Sequence, residues 1–473
     1  MFALRWGVPR SGWVKPVSDR RLSDVVSVGL LTRVFPASLV DEVIAECGRR
    51  EQRSRSLTAR VTAYFSIGMA LNSQGSYEEV FEQLTDGLSW SSGWSQSWSP
   101  PTKSAIFQAR SRLGYEPVRE LFRRVARPLA DAETPGSWLA GRRLVALDGT
   151  CLDLPDTPAN AEHFGRPGSS RGEQSAFPQA RLVALAECGT HAVFDAAIGS
   201  CRTSERELAH DLFGTLEPGM LLLADRGLYG FDMWTRAAAT GADLLWRVKS
   251  TLSPRHVETL DDGSWLAQIV PSGKNRRQRT PLTVRVIDYT LDDGRENPEQ
   301  YRLVTTILDP SDAPAEKLAL AYAQRWEIEN TLDELKTHQR GPRAVLRSKS
   351  PPLVQQEIWG HLCCHYAIRT LMLDAATAGS HDRRPDVLRR RPADYPTIPV
   401  PQLFFPLITT TPPPDCGIRE SPNYCAGSTP HAATAPTLGS SNAKSSNGPP
   451  NAHTTNTIHN PPNRRHAPSL FTN

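Results

Sequence analysis

The sequence lacks several features that would place it in a class at once. No apolar run in its 473 residues reaches the length that spans a membrane, which argues against an integral membrane protein. The N-terminus has neither an apolar segment long enough for a signal peptide nor a small-residue cleavage pattern, so we expect a cytoplasmic protein. None of the eight cysteines belongs to a C-x-x-C pair, which disfavours a zinc site and favours buried free thiols.

Neither sign of charge is in large excess, since the formal net charge is only +4. The hydrophobic and charged fractions, 39% and 22%, are those of a soluble protein, and the length allows two or three domains. Local clusters of charge are therefore more informative than the total.

Residues 1–140 are predicted to form an all-helical N-terminal domain. Ser76 followed three residues later by Glu79 is a capping-box pattern, and Gly48 ends an earlier helical pattern. Helix-turn-helix proportions with basic later helices predict a DNA-binding domain, although the same arginines could equally be solvated helix charges. The basic residues concerned are Lys103, Arg110, Arg112, Arg119, Arg123, Arg124 and Arg127.

The pattern changes to short strands over residues 141–250. Three consecutive strands, a helix, a strand, a helix and a strand indicate one mixed sheet covered by helices, which matches a ribonuclease-H-like α/β fold. Turn signals and β-type runs predict a β-rich insertion at 251–300, and residues 301–378 return to the catalytic domain with one strand and two helical patterns.

Residues 379–473 are rich in Pro, Ser, Thr, Asn and His, with few acidic residues and no periodic apolar pattern. Such a segment cannot bury enough apolar surface to offset its ordering entropy, so we expect a disordered low-complexity tail.

Three acidic residues stand where a metal site on a sheet would need them. Asp148 follows the apolar run 144–147, Asp225 follows the run 221–224, and Glu329 lies in a long helical pattern. Two strand-end carboxylates and one from a helix could hold two Mg²⁺ ions about 4 Å apart, one for the attacking and one for the leaving oxygen of a phosphoryl transfer. A lone aspartate at a strand end is more often a turn or cap residue, so the inference depends on the third acid.

The helical segment around Glu329 supports its assignment as the third acid. At about 100° per residue, Tyr322, Arg325, Glu329 and Lys336 fall within about 60° of arc, beside an apolar stripe of Ile328, Leu332 and Leu335. A solvated face of ion pairs is the alternative, but Tyr322 and Trp326, as two exposed aromatic residues beside Arg325, favour a surface that binds DNA. Spacing alone does not choose between Glu329 and Asp333.

These residues resemble the DDE transposases of bacterial insertion sequences, specifically the IS-four group. The group's signature, Y-x2-R-x3-E-x6-K, is matched without a gap by Tyr322, Arg325, Glu329 and Lys336, and the segments LDGTCLDLPDTPAN and LLLADRGLYGFDMW resemble its blocks around the two aspartates. The likeness covers about residues 20–378, including the position of the β-rich insertion.

The resemblance implies that Asp148, Asp225 and Glu329 are the catalytic triad that binds two Mg²⁺ ions, with Mn²⁺ as a substitute. It implies that Tyr322, Arg325 and Lys336 contact phosphates at the element end, and that Trp326 stacks on a displaced base. The implied reaction is nicking, hairpin formation, hairpin opening and strand transfer. The implied partners are double-stranded DNA, as terminal inverted repeats and target, and a second copy of the chain in a homodimer on DNA. A nucleoid-associated location follows.

The tail departs from the family pattern, and a change of reading frame near residue 380 is our hypothesis for it. The altered tail keeps one alternative open, an inactive DNA-binding relic of a transposase. A second alternative is a ribonuclease-H-like nuclease without strand transfer, against which the Tyr-Arg-Trp face and the basic N-terminal helices argue.

Overall fold

The computed structural model describes residues 29–53, 57–72, 75–82, 84, 101–168, 175–271, 280–291, 300–333, 335, 345–381 and 418–419. All of them belong to one of the two units into which the chain divides, Met1–Ser421. The expected tail lies outside the described residues, except for residues 379–381 and 418–419.

The N-terminal part is helical, as the sequence predicts. Its helices are α1 (Ala37–Glu46), α2 (Ala59–Gly68), α3 (Lys103–Leu113) and α4 (Glu116–Val125), with further helical residues at 29–34 and 77–82. The capping box forms, because the Ser76 amide donates to Oε2 of Glu79 at 2.7 Å and the Glu79 amide donates to Oγ of Ser76 at 3.2 Å.

A long C-terminal helix, α10 (Pro351–His381), packs against α2 and α4. The approach to α2 is close enough to require glycine at position 360, since a Cβ there would lie 2.3 Å from the carbonyl oxygen of Ser66. Helix α10 thereby joins the N-terminal helices to the rest of the molecule.

The sheet begins as an antiparallel meander and continues with parallel strands. Strand β2 (Arg142–Asp153) pairs antiparallel with β3 (Gln179–Glu187), which pairs antiparallel with β4 (Val193–Ser200). On its other side β2 pairs parallel with β5 (Met220–Ala224), and β5 pairs parallel with β6 (Asp243–Val248). The order β4-β3-β2-β5-β6 is the ribonuclease-H-like arrangement that the sequence predicts.

Strands from the region of the expected insertion extend the same sheet. They are β7 (Arg255–Thr259), β8 (Trp265–Ile269) and β9 (Leu282–Leu291), followed by β10 (Gln300–Thr305), and the order continues as β6-β10-β9-β8-β7. Two short strands complete the sheet within the described residues: β1 (Trp138–Leu139) on β2 and β11 (Ile418–Arg419) on β9.

Helices cover both faces of the sheet, and alternate strand residues enter two separate cores. Leu144 and Ala146 of β2 lie in the first core with residues of α10, whereas Val145 and Leu147 lie in the second. The covering helices are α5 (Pro158–Phe164), α6 (Glu205–Leu212), a 3₁₀ turn (Phe213–Thr215), α7 (Phe231–Ala238), α8 (Ala315–Ala323) and α9 (Trp326–Asp333). None of the helices that the structure describes is both long and apolar enough to cross a membrane.

Candidate active site

The sheet brings Asp148 and Asp225 together. Leu147 of β2 pairs with Ala224 of β5 as the last residues of their parallel ladder, so the two aspartates are the next residues in register. Neighbouring strands lie about 4.8 Å apart. Because Leu147 and Ala224 face the second core, alternation directs both aspartates towards the first core, on the side where α9 packs.

One detail of the sequence prediction is wrong. Asp225 does follow the last residue of its strand, but Asp148 lies inside β2, which runs on to Asp153. The reason is that β3 continues to pair with β2 beyond the point where β5 ends, with Asp148 opposite Ala184. Asp148 is therefore held on one side by the antiparallel ladder and open on the side of Asp225.

Helix α9 carries Glu329 to the same place. The predicted apolar stripe is buried in the first core, with Ile328 and Leu332 on α9 and Leu335 two residues beyond its end. Asp333, the competing acid, is exposed.

Arg325 joins the first and third acids. Its Nη1 lies 3.4 Å from Oδ2 of Asp148 and its Nη2 lies 2.7 Å from Oε1 of Glu329. The guanidinium is buried, and its Nε has no hydrogen-bond partner. A buried cation with a free donor suits a site that handles anions.

Tyr322 lies against the second acid. Its hydroxyl is 3.4 Å from Oδ1 of Asp225 and 3.5 Å from the carbonyl oxygen of Ala224. Burial raises the pKa of this hydroxyl far above its usual value, so it stays protonated as a donor. The interpretation of Tyr322 as an exposed aromatic is wrong, since only 4% of the residue is accessible. Trp326 is exposed, as expected, at 56%.

The helix that carries the signature is interrupted between its first residue, Tyr322, and its third, Glu329, with the second, Arg325, in the break. Helix α8 ends at Ala323 and α9 begins at Trp326, and the amides of Arg325 and Ile328 bond three residues back rather than four. The tighter turn places Arg325 inward while Trp326 faces solvent, so the signature residues do not share one face of a continuous helix. Lys336 lies outside the described residues.

Asp148 is the acid whose ionisation is most perturbed. Burial raises its pKa to about 6, and the nearby carboxylates of Glu329 and Glu205 add to the rise. The Gly149 amide, which donates to Oδ1 of Asp148 at 2.8 Å, and the Arg325 guanidinium oppose it. The site holds more negative charge than its one buried guanidinium neutralises.

Glu205 is a neighbour that sequence reasoning missed. It opens α6, and its side chain covers Gly149 so closely that a Cβ there would lie 3.0 Å from its Cγ. The next residue, Arg206, donates from Nε to the carbonyl oxygen of Gly227 at 2.9 Å, in the turn that follows Asp225. Nothing in the local sequence around the Ser204 helix cap indicates this proximity, because it arises from the packing of α6 on the sheet.

The donor set fits a hard divalent cation in its chemistry. It consists of carboxylate oxygens, which Mg²⁺ and Mn²⁺ prefer, and it has a surplus of negative charge. Among the residues that the structure describes, no three His, Cys, Asp or Glu side chains are already grouped as a metal site. Arg325 stands between Asp148 and Glu329 instead.

A partly buried polar cluster anchors α9 next to these acids. Nε2 of His191, in the turn between β3 and β4, lies 2.6 Å from Oε2 of Glu327, and Nε2 of His365 on α10 donates to the His191 carbonyl at 2.9 Å. Arg369 of α10 reaches Nδ1 of His191 at 3.4 Å. His191 has φ +58°, a conformation rare for residues other than glycine and asparagine.

Comparison with known proteins assigns the class and then the family. The Transposase DDE domain matches residues 139–367, and the Insertion element 4 transposase N-terminal domain matches residues 25–123. "Transposase InsG for insertion sequence element IS4" of Escherichia coli (strain K12) is 30% identical over 340 residues, 72% of this chain and 75% of that protein. The chain therefore belongs to the IS4 family of DDE transposases, which are DNA-cleaving enzymes.

Two further similarities are more limited. "Putative transposase InsZ" of Escherichia coli (strain K12) is 34% identical over 145 residues, 30% of this chain and 48% of that protein. A cryo-EM structure of the piggyBac transposase synaptic complex with hairpin DNA matches with 10% identity and a TM-score of 0.39, covering 75% of this chain and 76% of that one.

Proposed function

We propose that this transposase nicks DNA at the ends of an insertion sequence and transfers them to target DNA through a hairpin intermediate, with Asp148, Asp225 and Glu329 as the catalytic carboxylates. The observation that carries the proposal is the convergence of all three on the Tyr322–Arg325 turn, from two adjacent strands and one helix. Nicking, hairpin formation, hairpin opening and strand transfer are all in-line displacements at phosphorus, so one site serves every step.

The three carboxylates would hold two Mg²⁺ ions, with Mn²⁺ as a substitute. When bound, these ions would polarise the scissile phosphate and favour ionisation of the attacking hydroxyl. The raised pKa of Asp148 fits this role, because a bound cation would favour the ionised form that burial disfavours.

The protein's own residues would orient the DNA. Arg325 has an unpaired Nε for a phosphate oxygen, and exposed Trp326, whose ring centroid is 5.4 Å from the Arg325 guanidinium, can stack on a base displaced from the duplex. Tyr322 would hold Asp225 in place through its buried hydroxyl, next to the DNA phosphate that Lys336 would contact.

The same proposal covers organisation and partners. Residues 1–140 would bind DNA, and residues 141–250 and 301–378 would form the catalytic domain around the insertion at 251–300. Residues 379–473 would be a disordered low-complexity tail that a change of reading frame puts in place of the natural end. The substrates would be terminal inverted repeats and target duplex, bound by a homodimer in the bacterial cytoplasm at the nucleoid.

The test is cleavage of a duplex that carries the terminal inverted repeat flanking the gene. Asp148→Asn, Asp225→Asn and Glu329→Gln should each abolish Mg²⁺-dependent nicking and leave end binding intact. Asp333→Asn is the matched control, an exposed acid four residues from Glu329, and should nick normally. Near-normal nicking by any of the three variants would refute the assignment.

Product analysis separates the alternatives. A hairpin followed by strand-transfer product supports the full reaction, nicking without either product indicates a nuclease, and repeat binding without nicking indicates a DNA-binding relic.

A further inference from the structure

A basic pocket lies on the N-terminal helices, and neither the catalytic proposal nor the family match gives it a role. Its volume is about 400 Å³, and it lies between the segment that follows α1 and the C-terminal turn of α3. The ionisable residues in its lining are Arg49, Arg50, Glu51, Arg53 and Arg112.

The end of α1 forms one wall of the pocket. Gly48, at φ +67°, ends the helix, and the amides of Gly48 and Arg49 bond back to the carbonyls of Ala45 and Ile44 at 3.0 and 2.9 Å. The chain that follows Gly48 then runs past the end of α3. Arg49 holds this segment against α3 and α4, because its Nη1 donates to the Arg112 carbonyl at 3.4 Å and its Nη2 lies 3.3 Å from Oε2 of Glu116.

The other three arginines remain available to a ligand. Arg50, Arg53 and Arg112 are exposed and form no ion pair with any residue that the structure describes. Against them the pocket lining offers one carboxylate, Glu51, so the local charge is positive. A concave surface with several unpaired guanidiniums is suited to a phosphate chain.

Two nearby arginines, Arg110 and Arg124, differ from these three because their guanidinium groups are bound to other residues of the protein. Arg110 is buried and bonds Oε1 of Gln356 and Oγ of Ser348, so its expected place on a DNA-binding surface is wrong. Arg124 pairs with Glu42 and Glu46. The basic residues predicted from the later helices are thus partly used to hold the helices together.

Helix α3 presents an exposed face beside the pocket. Ser104, Phe107, Gln108, Ser111 and Arg112 are all exposed on it, at the spacings of one helical side, and Phe107 is 51% accessible. Opposite them, Ile106, Ala109, Arg110 and Leu113 are buried. Glutamine can bond adenine in two places in the major groove, and an exposed phenylalanine can contact a thymine methyl group.

We propose that α3 lies in the major groove of the element end, with Gln108 and Phe107 on base edges, while Arg50, Arg53 and Arg112 hold the adjacent phosphates in the pocket. Arg112 belongs to both the helix face and the pocket, which makes them one surface. The inference rests on the proposed function, since it names the residues by which the element end is recognised.

The test is equilibrium binding of the full chain to two duplexes, one with the flanking terminal repeat and one with the same bases scrambled, in EDTA at several salt concentrations. Arg50→Ala/Arg53→Ala should weaken binding to both duplexes alike and reduce the salt slope by about 1 per lost phosphate contact. Gln108→Ala should lower the preference for the repeat by about tenfold. Glu51→Gln, which removes the opposing charge, should tighten binding to both.

Arg124→Ala is the control, because it removes the same charge from an ion-paired arginine. It should leave the salt slope unchanged, and thermal unfolding of each variant verifies its fold. An unchanged salt slope in Arg50→Ala/Arg53→Ala, or an equal loss of affinity for both duplexes in Gln108→Ala, would contradict the proposed DNA-binding surface. Either result would refute the DNA-binding surface only, and the catalytic proposal would still hold if Asp148→Asn abolishes nicking. Conversely, nicking by Asp148→Asn would refute the catalytic proposal and leave the DNA-binding surface unaffected.

Discussion

Nε2 of His191 lies 2.6 Å from Oε2 of Glu327, so a hairpin turn of the sheet is in direct contact with the helix that carries Glu329. The two residues come from different elements, and His365 and Arg369 of α10 hold the turn from a third. The position of Glu329 relative to Asp148 therefore depends on a contact outside the candidate site.

We expect His191→Asn to slow nicking by about tenfold, equivalent to about 1.4 kcal/mol, without changing end binding. Asparagine tolerates the positive φ at this position, so the turn survives while the contact with Glu327 is lost. Single-turnover nicking is the measurement. Glu327→Gln should have a similar effect, and the double variant should be no slower than either, because both changes remove one interaction. Additive losses would contradict this role.

Replacement of Arg325 by glutamine should raise the pKa of Asp148 above its present value of about 6. The guanidinium is one of the groups that lower this pKa, while burial and Glu329 continue to raise it. Carbon-13 NMR titration of aspartate carboxyls without divalent cation measures the shift, with Asp148→Asn assigning the signal. An unchanged or lower pKa would show that Arg325 does not neutralise Asp148.

Replacement of Glu205 by glutamine should move the same pKa in the opposite direction. Glu205 is a like charge next to Asp148, so its removal makes ionisation of Asp148 easier. The same NMR titration reports it. Glu207→Gln, an exposed acid two residues further along α6, is the control and should have no effect. A rise in the pKa would place Glu205 away from the site.

His365 should make the protein less stable in acid. Burial lowers its pKa from 6.5 to about 4, so below pH 6.5 the unfolded chain takes up a proton that the folded chain refuses. Stability from the neutral imidazole is thus complete above pH 6.5 and is lost as the pH falls to about 4, by up to about 3 kcal/mol. Denaturant unfolding of wild type and of His365→Gln measures the free energy of unfolding of each between these pH values. The advantage of wild type over the variant should shrink as the pH falls; a constant difference would contradict this role of His365.

The sequence predicts the sheet well because its signal is local. Apolar runs before Asp148 and Asp225 mark neighbouring buried strands, and Ile328 and Leu332 mark the buried side of α9. Each of these follows from the alternation or period of a few consecutive residues.

The parts that the sequence does not predict depend on distant partners. Arg110 is buried because Gln356 and Ser348, more than two hundred residues away, accept its hydrogen bonds. The sequence keeps its helical spacing of apolar residues through the break before Trp326, so the break cannot be predicted from it. Only the folded structure shows that Tyr322 faces Asp225 while Trp326 faces solvent. Glu205 reaches Asp148 only because α6 crosses that end of the sheet.

The most direct test of the central claim is a change of ligand at each of the three acids. Asp148→Cys, Asp225→Cys and Glu329→Cys should each lose nicking in Mg²⁺ and regain part of it in Mn²⁺, which accepts a softer sulfur ligand more readily. Asp333→Cys should nick in both metals. Nicking in Mg²⁺ at the wild-type rate by any of the three cysteine variants would contradict the assignment of that residue as a metal ligand.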